Sequence, residues 1–531
     1  MADSLVPGVT QAAEPPSLDA TLDRPVALGT GVPGIDDILG GGLPTGHFYL
    51  VEGAPGSGKT TLALQFLLEG RDRGEPTLYV TLSETASELA AVARSHGWSL
   101  TGVEMLDIGM AASVLTPDAQ YTVFHPSEVE LQDTTDALFK RVEEVQPTRV
   151  VLDSVSELQL LARDPLRFRR QVLALKQFFT ARGITVLLLD DKSGNDADMQ
   201  LQSLAHGVIR LEQMALAHGA ERRQLRVLKL RGVRFHAGYH DFAIRTGGLD
   251  VFPRIRLGVP AEPATPVTLS SGSAQLDALM GGGILSGTSL LLTGAPGTGK
   301  SILATEFAIA AAGRGEGVEV YLFDEREGTF RTRAAGLGMD LDAHLESRRL
   351  VLTAIEPTEI SPGEFVERII RGVTQRGVRL VILDSLNGFL KAMPEERQLV
   401  LKIHELLSYL HNHDVTAVLT LSQRGVFGHP AEEAADISYL ADAVILLRYF
   451  EASGEVRQAI SVVKKRSGDH ERTIREARVQ RGGLHLGEPL REFQGVLTGV
   501  PTYVGEHGEL MAARQRNPAG ETHRTISDAA R

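Results

Sequence analysis

Cysteine is absent from this chain of 531 residues, which excludes disulfide scaffolds, cysteine-ligated zinc and thiol chemistry. Long apolar runs are also missing, since no stretch approaches the roughly 18 residues of a membrane-spanning helix. The first residues carry acids and prolines in place of a basic segment followed by an apolar one, so we expect no signal peptide. We therefore expect a cytoplasmic protein that does not bind membranes.

An excess of positive charge is the third absence. The net charge of −13 argues against a protein that binds nucleic acid mainly through electrostatic attraction. The hydrophobic content of 43% and the charged content of 23% are typical of a globular protein. A chain of this length is too long for one hydrophobic core, so we expect at least two domains.

A glycine-rich stretch, GAPGSGKT at residues 53–60, follows an apolar run at 48–51 and precedes a helical pattern at 61–68. This order of strand, loop and helix is the context in which G-x-x-x-x-G-K-[ST] indicates a phosphate-binding P-loop. The backbone N–H groups of such a loop form an anion site, and the helix N-terminus adds partial positive charge. Lys59 is expected to reach the phosphates of ATP, and the Thr60 hydroxyl is expected to hold Mg²⁺.

The pattern recurs as GAPGTGKS at residues 294–301, and a Gly-Gly-Gly motif precedes both copies at 40–42 and 281–283. Two P-loops in matching surroundings predict a duplicated nucleotide-binding domain with ATP and Mg²⁺ as cofactors. The residues predicted to bind ATP are Gly53, Gly56, Ser57, Gly58, Lys59, Thr60 and Thr61 in the first copy, and Gly294, Gly297, Thr298, Gly299, Lys300, Ser301 and Ile302 in the second.

Strand and helix patterns alternate after each P-loop, which predicts an α/β fold with mostly parallel sheets covered by helices. We place the first domain at residues 24–253 and the second at 268–513. The proline-rich segment 254–267 is expected to be a semi-rigid linker. Residues 1–23 are expected to be a disordered lead, and residues 514–531 a flexible tail.

In each copy an apolar strand downstream of the P-loop ends in an aspartate, Asp153 or Asp384. With Thr60 and Ser301, these aspartates are the predicted Mg²⁺ ligands. A strand-terminal aspartate can also be a simple turn or cap residue. The repeated position downstream of a P-loop favours the metal role.

Hydrolysis also requires a carboxylate that polarises the attacking water. Glu84, Asp324 and Glu325 follow the strand after each P-loop helix and are the predicted catalytic acids. The alternative is that they are acids favoured by a helix N-terminus.

The tandem P-loops, the Gly-Gly-Gly motifs, the Asp-Ser pairs at 153–154 and 384–385, and LKLRG at 228–232 resemble the KaiC family, the double-domain RecA-like ATPases of the cyanobacterial clock. The resemblance covers about residues 26–504. It implies two tandem RecA-like P-loop NTPase domains and a double-ringed homohexamer that binds ATP at subunit interfaces. It also implies an ATPase activity in the N-terminal ring and autokinase and autophosphatase activity in the C-terminal ring. Partners would be KaiB-like or other regulatory proteins.

The resemblance also assigns roles to two basic pairs. Lys229 and Arg231, and likewise Lys464 and Arg466, are implied to contact the γ-phosphate bound to the neighbouring subunit, where positive charge would stabilise phosphoryl transfer. The alternative for the first pair is a solvated strand face.

Three departures from the family pattern are visible. The family has two adjacent glutamates after each second strand, whereas this chain has Ser83 and Asp324 at the first of these positions. Ser438 retains the first phosphoacceptor, with a residue that only caps or packs the element from Tyr439 to Tyr449 as the alternative. Tyr439 replaces the threonine. Because a tyrosine hydroxyl lies further from the backbone, geometry set for threonine does not carry over, so the two-site phosphorylation cycle is in doubt.

We therefore expect a hexameric, ATP-hydrolysing protein with serine autophosphorylation that acts in signalling or clock-like regulation. Ser83 and Asp324 keep a non-catalytic, nucleotide-gated scaffold open as an alternative. A RecA/RadA-like DNA-dependent ATPase is a further alternative, which the acidic charge disfavours, and nucleic acid is not an expected partner.

Overall fold

The computed structural model describes residues 26–108, 126–162, 164–191, 201–215, 219–256, 265–391, 396–423, 438–452, 454–496 and 502–504. The predicted lead at 1–23 and tail at 514–531 lie outside these residues. The chain divides into two compact units. The first contains the chain up to Leu211 together with Val227–Ala237 and Ile244–Leu249, and the second contains Glu212–Arg226, Gly238–Ala243 and the chain from Asp250 onward.

A first nine-stranded sheet carries the first P-loop, and its strand order is β11-β10-β9-β8-β3-β7-β6-β4-β5. Two short strands, β1 (Ala27–Leu28) and β2 (Leu43–Pro44), pair with each other beside it. The strands of the nine-stranded sheet are β3 (Phe48–Gly53), β4 (Thr77–Thr81), β5 (Glu104–Asp107), β6 (Arg149–Asp153), β7 (Thr185–Asp191), β8 (Gly207–Met214), β9 (Arg222–Leu230), β10 (Tyr239–Arg245) and β11 (Gly248–Phe252).

The helices of this part of the chain alternate with its parallel strands. They are α1 (Pro33–Leu39), α2 (Lys59–Asp72), α3 (Ala86–Ser95), α4 (Pro126–Val145), α5 (Val155–Ala162) and α6 (Pro165–Ala181). The helical pattern predicted at 61–68 lies within α2.

The second sheet also has nine strands, in the order β16-β15-β17-β18-β14-β19-β20-β21-β22. Its strands are β14 (Ser289–Gly294), β15 (Gly317–Leu322), β16 (Leu350–Ala354), β17 (Val378–Asp384), β18 (Thr416–Ser422), β19 (Ala443–Ala452), β20 (Glu455–Lys465), β21 (Arg475–Gln480) and β22 (Gly483–Pro489). Short pairs are formed by β12 (Thr268–Leu269) with β13 (Ile284–Leu285), and by β23 (Phe493–Gln494) with β24 (Thr502–Tyr503).

The helices that follow in sequence are α7 (Ala274–Leu279), α8 (Lys300–Gly313), α9 (Glu327–Gly336), α10 (Asp342–Glu346), α11 (Pro362–Arg376), α12 (Leu386–Lys391) and α13 (Glu396–Asn412). Read from the opposite edge, the second sheet has the same strand order as the first. The duplication predicted from the two P-loops is therefore a duplication of the whole sheet topology.

Each sheet is mostly parallel, as predicted. In the second sheet, β14 pairs in parallel with both β18 and β19, and β15 pairs in parallel with both β16 and β17. The other edge is antiparallel, because β19, β20, β21 and β22 pair as a meander. The sequence patterns predict mostly parallel sheets and do not predict this meander.

Both faces of the second sheet are buried. Leu290 and Leu292 of β14 face one core, which includes Leu303 and Phe307 of α8. Leu291 between them faces a second core, to which α11 and α13 contribute. Alternate residues of a strand point to opposite faces, so this double burial explains why the strands are continuous apolar runs. No helix in the described parts of the chain is both long and apolar enough to span a membrane.

Candidate nucleotide-binding sites

The first P-loop joins the end of β3 at Gly53 to the start of α2 at Lys59. Gly58 stands immediately before the helix with a φ of 101°, a conformation that side chains other than glycine rarely adopt. Ser57 and Lys59 are buried, so the loop closes tightly on itself. The predicted strand, loop and helix are therefore all present at residues 48–72.

Lys59 lies folded over its own loop. Its Nζ donates to the carbonyl oxygens of Gly53 at 2.8 Å and Ala54 at 3.0 Å. It also forms an ion pair with Asp191 at the end of β7, with 2.7 Å between Nζ and Oδ1. Strands β3 and β7 are parallel neighbours, so their carboxyl ends bring the lysine and the aspartate together.

Asp153, the predicted metal ligand, ends β6 and is buried. Its Oδ2 accepts from the Tyr79 hydroxyl at 2.5 Å and from the Thr60 hydroxyl at 3.4 Å. Burial raises the pKa of the Asp153 carboxyl, whereas the bond from Tyr79 and the charge of Lys59 oppose that rise. The structure therefore brings Asp153 together with Lys59 and Thr60, although it lies far from both in sequence.

Glu84 is the predicted catalytic acid of the first copy. Helix α3 begins after Thr85, which forms a capping box with Glu88, so Glu84 lies before the helix cap and is not an acid of the first turn. Its Oε2 is buried and has no hydrogen-bond partner within the described residues. Burial raises the pKa of Glu84, and the negative charge of Asp153 adds to the rise. Ser83, at the position of the family's first glutamate, is exposed.

The second P-loop repeats this geometry. Gly299 has a φ of 102°, and Lys300 Nζ donates to the carbonyls of Gly294 at 2.9 Å and Ala295 at 2.8 Å. Burial lowers the pKa of Lys300 to about 8, and the charge of Asp384 opposes the decrease. Ser422 takes the position at the end of β18 that Asp191 has at the end of β7.

A cavity of about 420 Å³ opens beside the second P-loop. Its walls combine loop residues with one arginine and with three acids from two strand ends, those of β15 and β17. The lining residues are Pro296, Gly297, Gly299, Lys300, Ser301, Ile302, Asp324, Glu325, Arg333, Asp384, Ser385 and Ser422. Apart from Gly294 and Thr298, the predicted phosphate-binding, metal-binding and catalytic residues of the second copy thus line one cavity.

The three acids of this cavity have different partners. Asp384 Oδ1 accepts from the Thr420 hydroxyl at 2.6 Å, and Asp324 Oδ2 accepts from the Ser385 hydroxyl at 2.5 Å. Glu325 forms an ion pair with Arg333, with 2.7 Å between Oε2 and Nη2. The acids at adjacent positions 324 and 325 therefore differ in their electrostatic surroundings.

The oxygen ligands in both copies fit Mg²⁺. Each copy offers one hydroxyl and one carboxylate, from Thr60 and Asp153 or from Ser301 and Asp384, and these are the oxygen donors that Mg²⁺ prefers. The ion usually takes its other ligands from water and phosphate. Within the described residues, no group of three or more acidic, histidine or cysteine side chains is arranged to hold a metal alone. The sites therefore fit Mg²⁺ that arrives with a nucleotide.

The two basic pairs lie at the ends of β9 and β20, and each contacts its own chain. Lys229 Nζ donates to the carbonyl of Gln202, and Arg231 Nη2 donates to that of Ser203 at 3.0 Å. In the second copy, Lys464 Nζ donates to the carbonyls of Ser438 at 3.0 Å and Ala441 at 2.7 Å, and Arg466 Nη2 donates to that of Tyr439 at 2.7 Å. The two pairs therefore hold equivalent segments, 202–203 and 438–439.

The predicted phosphoacceptors lie on the segment that Lys464 and Arg466 hold. Tyr439 is 55% exposed. Neither Ser438 nor Tyr439 is among the described residues that line the cavity at Lys300. Within one chain, the structure groups the P-loop with the acids and groups the basic pair with the segment that contains Ser438 and Tyr439.

The sequence analysis did not single out Asp191 or Arg333. Asp191 carries the same signal as Asp153, because it ends an apolar strand beside the P-loop strand. Arg333 lies eight residues after Glu325 on α9, and the same count from Glu84 reaches Val92. A comparison of the two copies in register would have identified Arg333 as a charge that only the second copy has.

Fold and site together define a class. Each copy has a mixed, mostly parallel sheet with a P-loop at the end of its central strand, and the chain is a protein with two tandem RecA-like P-loop domains. The family model of the KaiC ATPase matches residues 28–256 and 269–491. The chain belongs to the KaiC ATPase family.

Relatives match along most of the chain. The circadian clock protein KaiC3 of Synechocystis sp. is 26% identical over 495 residues, which cover 92% of this chain and 97% of that protein. The circadian clock oscillator protein KaiC of Synechococcus elongatus is 27% identical over 492 residues, 91% of this chain and 93% of its own. KaiC of Thermosynechococcus vestitus is 27% identical over 493 residues, again 91% and 93%.

Proposed function

We propose that this protein is a hexameric ATPase that binds ATP and Mg²⁺ at subunit interfaces, autophosphorylates in its second domain and acts in signalling or clock-like regulation. The proposal rests on one observation. In both copies the P-loop lysine and the strand-terminal aspartate lie at the same end of the sheet, whereas the Lys-x-Arg pair contacts a separate segment of the chain. A basic pair that lies away from the P-loop of its own chain is suited to contact the phosphates bound by a neighbouring subunit. Membership of the KaiC ATPase family supports the ATPase class.

In the first domain, Lys59 and the backbone of its loop would hold the phosphates, and Thr60 with Asp153 would hold Mg²⁺, whose charge helps neutralise the phosphates. Glu84 would orient the water that attacks the γ-phosphorus and accept its proton as the bond to ADP breaks. Its Oε2 is buried without a hydrogen-bond partner in the described part of the chain, and its pKa is raised; both properties are expected of a general base. Lys59 would exchange Asp191 for phosphate when ATP binds.

In the second domain, the γ-phosphoryl group would move to the Ser438 hydroxyl of a neighbouring subunit. The hydroxyl oxygen would form the new bond to phosphorus, its proton would pass to a carboxylate such as Asp324, and ADP would leave. Lys464 and Arg466 contact the backbone of the acceptor segment, so ring assembly and phosphorylation would be coupled through the same two cations. Regulatory partners would read the phosphorylated state.

The test is phosphopeptide mapping and ATPase measurement on the purified protein with Mg-ATP, beside Lys59→Ala and Lys300→Ala. We expect rings that assemble with ATP, hydrolysis that Lys59→Ala reduces, and phosphate on Ser438 that Lys300→Ala abolishes. If rings assemble with bound ATP but no residue is phosphorylated, the proposed kinase activity is contradicted. If the protein does not hydrolyse ATP, the nucleotide-gated scaffold is the function that remains. Hydrolysis that DNA stimulates, with a steep salt dependence, would favour the DNA-dependent alternative.

A further inference from the structure

Arg333 is the one arginine that lines the cavity beside the second P-loop, among the residues described there. It projects from α9, and the register of the two copies places Val92 at the equivalent point of the first. The second site therefore has an arginine at a position where the first copy has an apolar side chain. We propose that Arg333 is a phosphate-contacting arginine of the second site, supplied by the same chain and held in position by Glu325.

The ion pair fixes one side of the guanidinium. Nη2 donates to Glu325 Oε2 at 2.7 Å, and Nε lies 3.4 Å from Oε1, so both carboxylate oxygens face the same edge. The guanidinium carbon also lies 4.9 Å from the centroid of the buried Phe330 ring. Because the planar group is held by an ion pair on its edge and an aromatic ring on its face, its orientation is restricted.

The other side of the guanidinium has unused donors. Nη1 makes no hydrogen bond within the described part of the chain, although Arg333 lines the same cavity as Lys300 and Ser301. Arginine remains protonated and presents its donors in a rigid fork that suits phosphate oxygens. A held guanidinium with free N–H groups beside a P-loop is therefore prepared to bind an anion without releasing Glu325.

The surrounding charges favour this role. Asp324, Glu325 and Asp384 line the cavity with Lys300 as the only other cation among its described lining residues. Arg333 offsets part of this negative charge where the phosphates of ATP would add more. Glu325 then acts as a positioning residue, since its carboxylate orients Arg333.

The inference rests on the proposed binding of ATP, and the experiment separates the two. In a Lys59→Ala background, calorimetry measures the affinity of the second site for Mg-ADP and for a non-hydrolysable ATP analogue. We expect Arg333→Gln to weaken the analogue about 10- to 100-fold and to change ADP affinity much less. Arg333→Lys keeps the positive charge but lacks the forked N–H donors of the guanidinium. It should therefore retain part of the preference for the ATP analogue over ADP.

Glu325→Gln is the matched control, because it breaks the same ion pair but leaves the guanidinium in place. Because Arg333 keeps its charge but loses the carboxylate that orients it, we expect Glu325→Gln to weaken the preference for the ATP analogue over ADP less than Arg333→Gln does. If Arg333→Gln and Glu325→Gln weaken both nucleotides equally, or if neither Arg333 variant alters the ratio, the inference is refuted and the pair is purely structural. A parent protein that binds neither nucleotide would instead refute the proposed function. Circular dichroism checks folding, and Arg333→Lys carries the test if Arg333→Gln does not fold.

Discussion

Glu306 offers a prediction whose size and pH dependence both follow from the structure. It lies on α8 and is only 8% exposed, and the backbone N–H of Leu484 in β22 donates to its Oε1. Its Oε2 is buried without a hydrogen-bond partner in the described part of the chain. Burial raises the pKa of this carboxyl from 4.5 to about 7. We predict that Glu306→Gln stabilises the second domain above pH 7.

The magnitude follows from the shift in pKa. Each unit corresponds to about 1.4 kcal/mol, so the ionised carboxylate costs the folded state about 3 kcal/mol. A buried polar atom without a partner costs about 1–3 kcal/mol, which agrees in size. The proton binds more tightly in the folded state, so the wild-type protein loses stability as pH rises from about 4.5 through 7. Glutamine keeps the acceptor for Leu484 and carries no charge.

The assay compares wild type and Glu306→Gln in urea at pH 5 and pH 8, and hydrogen exchange in peptides from α8 and β22 localises the effect. We expect the free energy of unfolding to differ by up to about 3 kcal/mol at pH 8 and by much less at pH 5. Equal differences at the two pH values would refute the reasoning, since they would show that ionisation is not the cause.

The first domain contains the matched control. Gln65 of α2 occupies the equivalent place, and its Oε1 accepts from the Leu249 N–H at 2.8 Å. The reverse change, Gln65→Glu, places a carboxylate in the same kind of contact. It should therefore destabilise the first domain at pH 8 and have little effect at pH 5.

The other predictions concern the nucleotide sites. Burial lowers the pKa of Lys300 to about 8. ATP affinity at the second site of a Lys59→Ala protein should therefore fall about tenfold between pH 7 and pH 9. An affinity that calorimetry finds unchanged over this range would contradict the prediction. Glu84→Gln should reduce hydrolysis in a Lys300→Ala background by about 10²- to 10⁴-fold while ATP binding persists, and unchanged phosphate release would exclude Glu84 as the base. Asp191→Asn should raise ATP affinity at the first site by no more than about fivefold, because Asp191 is 47% exposed and exposed ion pairs contribute about 0.2–1 kcal/mol. A large loss of affinity would instead show that Asp191 assists binding.

The sequence by itself determined the duplicated α/β fold and the positions of its P-loops. Local patterns suffice there: an apolar strand, Gly58 or Gly299 where the backbone needs a left-handed conformation, and a lysine at the helix start. The strand-terminal Asp153 and Asp384 were visible for the same reason, since parallel strands present their carboxyl ends at one edge of the sheet.

Only the tertiary structure decided which charges meet. The ion pairs Lys59–Asp191 and Glu325–Arg333 depend on strand order and on the direction of α9, which no spacing encodes. The contacts of Lys464 and Arg466 with the acceptor segment likewise depend on how β20 packs beside β19. Burial also depends on the assembled fold, and it is burial that raises the pKa of Glu306 to about 7. A pattern in sequence identifies the chemical groups, whereas their neighbours and exposure to water set their pKa values and partners.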